Sequence, residues 1–349
     1  MKHTLFVFSL LISSCLLSQR YIVQVKSSDT KLWGYANEKG EILIQPQYKQ
    51  CFPFSSNGLA PIYDAKTKQH NFINLKGEIL NVEKPGFILM NAFGFGLKSF
   101  SDGLVLVSYN KKWGYMDESG KLVIEAKYDK ATSFSNGYAT AQRGKEFFII
   151  DKTGKEISLN DLGISGIKDF SEGLSPFTTA EKLTGFFDTE GKVAIEPTFK
   201  SVGYFSGGLA WAKNEAGKAG YIDKKGKWVI EPQFDVVKDF CPTSKLARVK
   251  QGDKWGYIRM DGKVVYPDNI STCGDFSNGL AYGKTAEGKV GFINEKGQWS
   301  IDAKFDAVGD FSNGYAAAKL DGKWGIIDTK GNWVCQPQYD AIKEVQKVN

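Results

Sequence analysis

Histidine is almost missing from this chain, with two copies in 349 residues. One of them, His3, lies in an N-terminal stretch that reads as an export signal, which leaves His70 alone in the mature protein. A single imidazole excludes His-based metal sites and removes the base from any Ser-His-Asp or Cys-His set. Methionine (four), cysteine (five) and proline (ten) are also scarce. No apolar run is long enough to cross a bilayer, so no transmembrane helix is expected. Nor does charge of one sign dominate. Forty-five Lys and Arg face thirty-nine Asp and Glu, a net +6 interleaved along the whole length, which argues against a nucleic-acid partner.

Glycine and aromatics are abundant instead: 38 Gly, 24 Phe, 15 Tyr and eight Trp. Gly spread through a chain rich in Tyr, Phe, Val and Ile implies many short strands and many turns. The expected class is all-β.

Residues 1–18 carry a basic start, Lys2 and His3, then a mostly apolar stretch from Leu5 to Leu17, as in a secretory signal. Cleavage after Ser18 would leave Gln19 first, and residues 19–349 as the mature array. A second reading takes Ile12-Ser-Ser-Cys15 as a loose lipobox, with Cys15 acylated as a lipid anchor. Both readings place the protein outside the cytoplasm: periplasmic, extracellular, or a lipoprotein on the cell envelope.

Self-similarity then decides the organisation. A Trp-Gly-Tyr pattern and its degenerate copies mark nine units at Gly34, Asn71, Gly114, Phe148, Gly185, Gly220, Gly256, Gly291 and Gly325, a period near 35 with one longer step of 43 into the third. The clearest units show three strands each. In unit seven Leu246 to Lys250 is followed by Trp255-Gly-Tyr-Ile258; in unit six the third strand is Trp228-Val-Ile230, expected to end at Glu231-Pro232 because proline cannot donate to a sheet ladder. Between the last two strands Asx and Gly recur three residues apart, as in Asp223/Gly226 and Asn37/Gly40. There the Asx side chain can accept from turn amides and Gly supplies positive φ. Only unit seven departs, with Arg259 at the Asx position. Each link carries a Phe, usually as Phe-Ser-x-Gly (Phe134, Phe170, Phe205, Phe276, Phe311), expected to plug neighbouring units.

These residues resemble the WG β-repeat family, also called KWG repeats. The elements are Lys-Trp-Gly-Tyr, Asp-x-x-Gly-Lys, Ile-Glu-Pro-x-Tyr/Phe-Asp and Phe-Ser-x-Gly, running from about Tyr21 to Asp340. The resemblance implies a repeat architecture and brings no particular activity. The signature positions Trp33-Gly34, Trp113-Gly114, Trp255-Gly256 and Trp324-Gly325 are assigned a structural role.

Nine three-stranded units favour an open, solenoid-like stack, with a β-propeller as the alternative, since no strand is visibly left to close a ring. Residues 345–349 would then be a tail or cap. The carboxylates fall at repeat-equivalent turns, and the Gly-rich segment 203–208 lacks the Gly-Lys-Ser/Thr ending of a phosphate loop. Of the cysteines, Cys51 and Cys273 share a repeat phase but lie six units apart, and Cys241 and Cys273, one unit apart, are the only plausible pair; otherwise these read as small buried hydrophobes. Trp228, Trp299 and Trp333 alternate with aliphatics and so belong to the core; the first two sit in units whose signature residue is Ala219 or Val290, as if one indole filled a shared space. Trp211 escapes the pattern and is the candidate exposed, ligand-binding aromatic. No catalytic residue, cofactor or metal is expected. The function that follows is an exported scaffold binding a protein or a cell-envelope component, with glycan or peptidoglycan binding through exposed aromatics as the alternative.

Overall fold

The computed structural model describes residues 20–89 and 99–348. The signal stretch and Cys15 lie outside these residues, as does part of the long step into unit three. Among the described residues everything regular is strand, apart from one 3-10 turn at Asn160–Leu162. The strands form eight antiparallel sheets arranged as the blades of a β-propeller. Nine repeats give eight hydrogen-bonded blades because Ile42–Cys51 runs from the outer edge of unit one into the start of unit two, fusing the two into a six-stranded sheet.

Unit six shows the plan. An inner strand, Ser201–Val202, pairs with Ala210–Lys213, which pairs with Ala219–Ile222, which pairs with the outer Trp228–Phe234. The blade therefore has four strands where the sequence suggested three. The fourth is only two residues long, too short to leave a periodic signal, and lies in the link before the Phe.

The closing strand also comes from an unexpected place. Ala341–Val348 pairs antiparallel with Arg20–Lys26, from Arg20 opposite Val348 to Lys26 opposite Ala341. The open stack is thus corrected to the closed ring, and the supposed tail is the inner strand of the first blade. The seam is packed as a core: Val23, Val25 and Ala36 from one end of the chain join Ala317, Ile326, Tyr339, Ile342 and Val345 from the other.

The turns form as the Asx-Gly spacing implies. Asp223 Oδ1 accepts from Lys225 N and Lys227 N at 2.9 and 3.0 Å, and Gly226 sits at φ 77°. Unit seven keeps the turn without the Asx, since Arg259 N still donates to Lys263 O at 2.8 Å. The expected strand end at Pro232 is not observed: the outer strand continues to Phe234. Pro sits where the ladder is already broken, opposite the signature Gly, with register shifts on both sides. The Gly is required there because the outer backbone crosses directly over it; a Cβ on Gly34 would stand 2.5 Å from the Ile44 carbonyl oxygen and 2.7 Å from Pro46 N.

Three recurrent contacts join unit to unit. Six plug Phe residues pack on the signature aromatic of the unit before them: the Tyr35–Phe54, Tyr115–Phe134, Phe186–Phe205, Tyr221–Phe240, Tyr257–Phe276 and Phe292–Phe311 centroids lie 4.5–4.9 Å apart. The signature tyrosine donates to the carbonyl just after the next inner strand, 17 residues on, as from Tyr115 Oη to Thr132 O at 2.7 Å and Tyr221 Oη to Lys238 O at 2.8 Å. The Ser of the Phe-Ser link donates to the next Phe carbonyl, as from Ser206 Oγ to Phe240 O at 2.6 Å. A fourth contact works within the unit. The Lys before the signature Trp-Gly pair, or before the Ala-Gly or Val-Gly that replaces it, reaches the Asp after the outer strand, at 2.5–2.8 Å for Lys112–Asp129, Lys218–Asp235, Lys289–Asp306 and Lys323–Asp340. Signature residues are therefore spent on closing blades and joining them.

Candidate binding site

Two repeat positions are left to vary at the inner rim of the ring. The first is the residue before the plug Phe: Ser133, then Asp169, Tyr204, Asp239, Asp275 and Asp310, with Glu344 in the equivalent place of the closing strand. The second is the central residue of the second strand, opposite the third residue of the signature: Leu106, Thr140, Pro176, Trp211, Arg248, Tyr282 and Ala317. Neither series was singled out in the sequence, although both are legible once units are aligned on the Phe.

At units five to seven the rim opens into a cleft of about 590 Å³, lined among others by Asp169, Glu172, Tyr204, Asp239, Pro242 and Lys245. Its floor is rigidly held. Glu172 accepts from Gly207 N at 2.6 Å and Gly208 N at 3.1 Å and pairs with Lys224 at 3.2 Å; Asp239 Oδ1 accepts from Tyr204 N at 3.1 Å. Burial pushes the Asp239 carboxyl above its ordinary range, and the Tyr204 phenol is pushed up to about 12 by burial and by the charge of Asp169. Burial also lowers the Lys168 ammonium, whose Nζ lies 6.0 Å above the Tyr204 ring. Here the repeat pattern breaks most: Cys241-Pro-Thr-Ser-Lys245 stands where other units read Ser-x-Gly.

Trp211 borders this region but is half-buried. Its indole covers Gly203, where a Cβ would collide with the ring and with Asp239 Oδ1, and it packs in one cluster with Ala219 and Tyr221. The large second-strand residue thus fills space that a signature Trp would otherwise take. The shared-space idea fails for Trp228, which pairs with Ile222 on the opposite face of the blade and meets Phe199 edge-on at 5.5 Å. The signature Trp33, Trp113, Trp255 and Trp324 are all half-buried against core clusters. His70 stacks edge-on with Tyr63 at 4.9 Å, and burial lowers its imidazole. Cys51, Cys273 and Cys335 are buried thiols and Cys241 is half-exposed; all four are free, so the Cys241–Cys273 pairing is absent. No helix among the described residues is long and apolar enough to cross a membrane, and no cluster of metal-ligating side chains occurs among them.

The model of the WG containing repeat matches residues 33–63, 113–146, 185–218, 220–255, 255–282, 291–324 and 324–347, more than half of the chain. The protein belongs to the WG-repeat family. A search of curated proteins finds no match. Among solved structures, the chain is similar to BamB from Moraxella catarrhalis at 12% identity and TM-score 0.45, over 81% of this chain and 94% of that one. It is also similar to apo AztD from Citrobacter koseri at 11% identity and TM-score 0.44, over 95% and 98%, and to the computationally designed Ika8 protein at 14% identity and TM-score 0.43, over 69% and 87%. The WG-repeat match therefore names the architecture and assigns no role to the rim residues.

Proposed function

We propose that this WG-repeat protein is an exported, non-catalytic scaffold that binds a protein of the cell envelope through the inner rim of its ring. The observation that carries the reading is the cleft at units five to seven. There Tyr204 and residues 241–245 depart from what other units carry at the same positions, while the plug Phe residues and blade contacts of these units stay intact. A rigid scaffold with variable residues gathered on one rim is the arrangement expected of a binding surface. Polysaccharide stacking loses its main candidate, because the Trp211 ring is occupied against Gly203.

The test replaces Tyr204 with a photo-reactive phenylalanine analogue and exposes the protein to envelope extract and, in parallel, to insoluble cell-wall polysaccharide. A discrete protein adduct supports the reading. Retention on polysaccharide without any adduct overturns it. Export is checked by fractionation. Release of the Cys15→Ser protein from the membrane fraction would identify an acylated anchor, whereas a soluble exported wild-type protein would identify plain secretion.

A further inference from the structure

The rim carries a second hollow whose intended occupant can be read from another unit of the same ring. It lies at the seam between unit nine and the closing strand, has a volume of about 240 Å³, and is lined by Gly309, Asp310, Ala317, Trp324 and residues 342–344. Each of these has a counterpart in unit seven: Lys238, Asp239, Arg248, Trp255 and residues 273–275. In unit seven the place is filled. The Arg248 guanidinium lies 5.0 Å from the centre of the Trp255 ring, donates through Nη1 to the Cys273 carbonyl, and brings Nε to 3.1 Å from Asp275 Oδ1, an ion pair without in-line hydrogen-bond geometry. Unit nine keeps the aromatic wall, Trp324, and the carboxylate of the following strand, Glu344, but has Ala317 where the arginine would start. The space that Arg248 fills at one junction is thus open at the other.

The charges around the hollow agree. Lys343, its nearest cation in sequence, turns its ammonium towards unit two, 5.1 Å from the Trp33 ring, 5.2 Å from the Phe52 ring and 3.5 Å from the Cys51 carbonyl. Arg248 is committed to Asp275. Asp310 lies on the rim near Asp275 and Glu344, and partial desolvation together with those two carboxylates raises its carboxyl above the ordinary range. A guanidinium stacked on an indole and paired with a carboxylate meets all three needs at once.

We infer that the Trp324–Glu344–Asp310 hollow is a binding site for the arginine side chain of a partner protein, which supplies in trans the guanidinium that Arg248 supplies in cis to unit seven. The site is separate from the cleft at units five to seven, and either can fail without the other.

The test uses the mature full chain, 15N-labelled, with the indole N–H resonance of Trp324 identified by its loss in Trp324→Phe. Three blocked tripeptides are titrated, with a central arginine, lysine or citrulline; citrulline keeps the shape and removes the charge. The arginine peptide is expected to shift the Trp324 signal saturably, the lysine peptide more weakly, and the citrulline peptide not at all. Ala317→Arg should move the signal without peptide and abolish the response, as its own side chain occupies the site. Glu344→Gln, an exposed change that keeps the fold, should weaken binding about tenfold, as for losing one charge-assisted contact. An unmoved Trp324 signal, an equal response to citrulline, or undiminished binding by Glu344→Gln would each overturn the inference.

Discussion

The seam and unit six are the same blade built in two ways. In unit six the inner strand is two residues long, Ser201–Val202, and the chain itself delivers it to its partner. At the seam the inner strand is eight residues long, Ala341–Val348, and its partner Arg20–Lys26 comes from the far end of the sequence. Bringing such distant segments together costs more conformational entropy than a short local link, about 0.6 kcal/mol per doubling of loop length and so roughly 3 kcal/mol over about five doublings. Additional ladder hydrogen bonds, each contributing about 1 kcal/mol net, offset that difference. The same register is held by covalent tethering in one blade and by a longer ladder in the other.

Removing the longer ladder should break the comparison outright. Deleting residues 341–349 exposes the Arg20–Lys26 edge and opens the core that joins the two chain ends, so cooperative thermal unfolding followed by circular dichroism should be lost. A single sharp transition near the full-length Tm would show that closure does not set the stability of the ring. The signature tryptophans sharpen the contrast. Trp113→Ala should destabilise by about 3 kcal/mol in urea unfolding, the low end for a tryptophan truncation because the indole is half-buried. Trp33→Ala at the seam should cost about 0.5–1 kcal/mol more, since Lys343 of the closing strand lies over that ring. Equal losses would remove any special role of Trp33 in closure.

Smaller effects are expected from single polar contacts. Tyr221→Phe deletes the bond to the Lys238 carbonyl and Tyr35→Phe the bond to Phe52 at 2.8 Å, each worth about 1 kcal/mol. A marked difference between the two would show that seam and interior junctions are unequal here as well. Acid should separate them gently. Asp340 is held below the usual carboxylate range by Lys31 across the seam and by Lys323 within unit nine, and Asp235 by Lys218 within unit six. A carboxyl depressed in the fold adds stability above its unfolded value of about 3.9, and that contribution is lost as pH falls below it. Asp340→Asn should therefore flatten the fall of Tm between about pH 5 and pH 2, and Asp235→Asn should flatten it less. Identical profiles would rule out a larger share for the two-lysine site.

What the sequence made legible was local. The Asx-Gly turns could be placed because both partners of each hydrogen bond lie within four residues, as at Asp223 and Lys227. The plug role of Phe could be read because it recurs at a fixed distance from the signature aromatic it touches. The inner strands escaped because two residues such as Val236–Val237 carry no alternation, and ring closure escaped because the closing strand bears no Trp-Gly mark. The seam hollow could not be read at all. It is defined by a side chain missing at Ala317, and the absence means something only when set beside Arg248 two units earlier.

Arg20 pairs with Val348, so the two ends of the described chain finish side by side on one blade. Topologically the ring then has no privileged starting point. A short linker from residue 348 to residue 20, with new ends opened in any Asx-Gly turn, describes the same molecule as a circular permutant. Chain order would be the only thing altered, and the Arg248 and Ala317 junctions would keep their places on the circle.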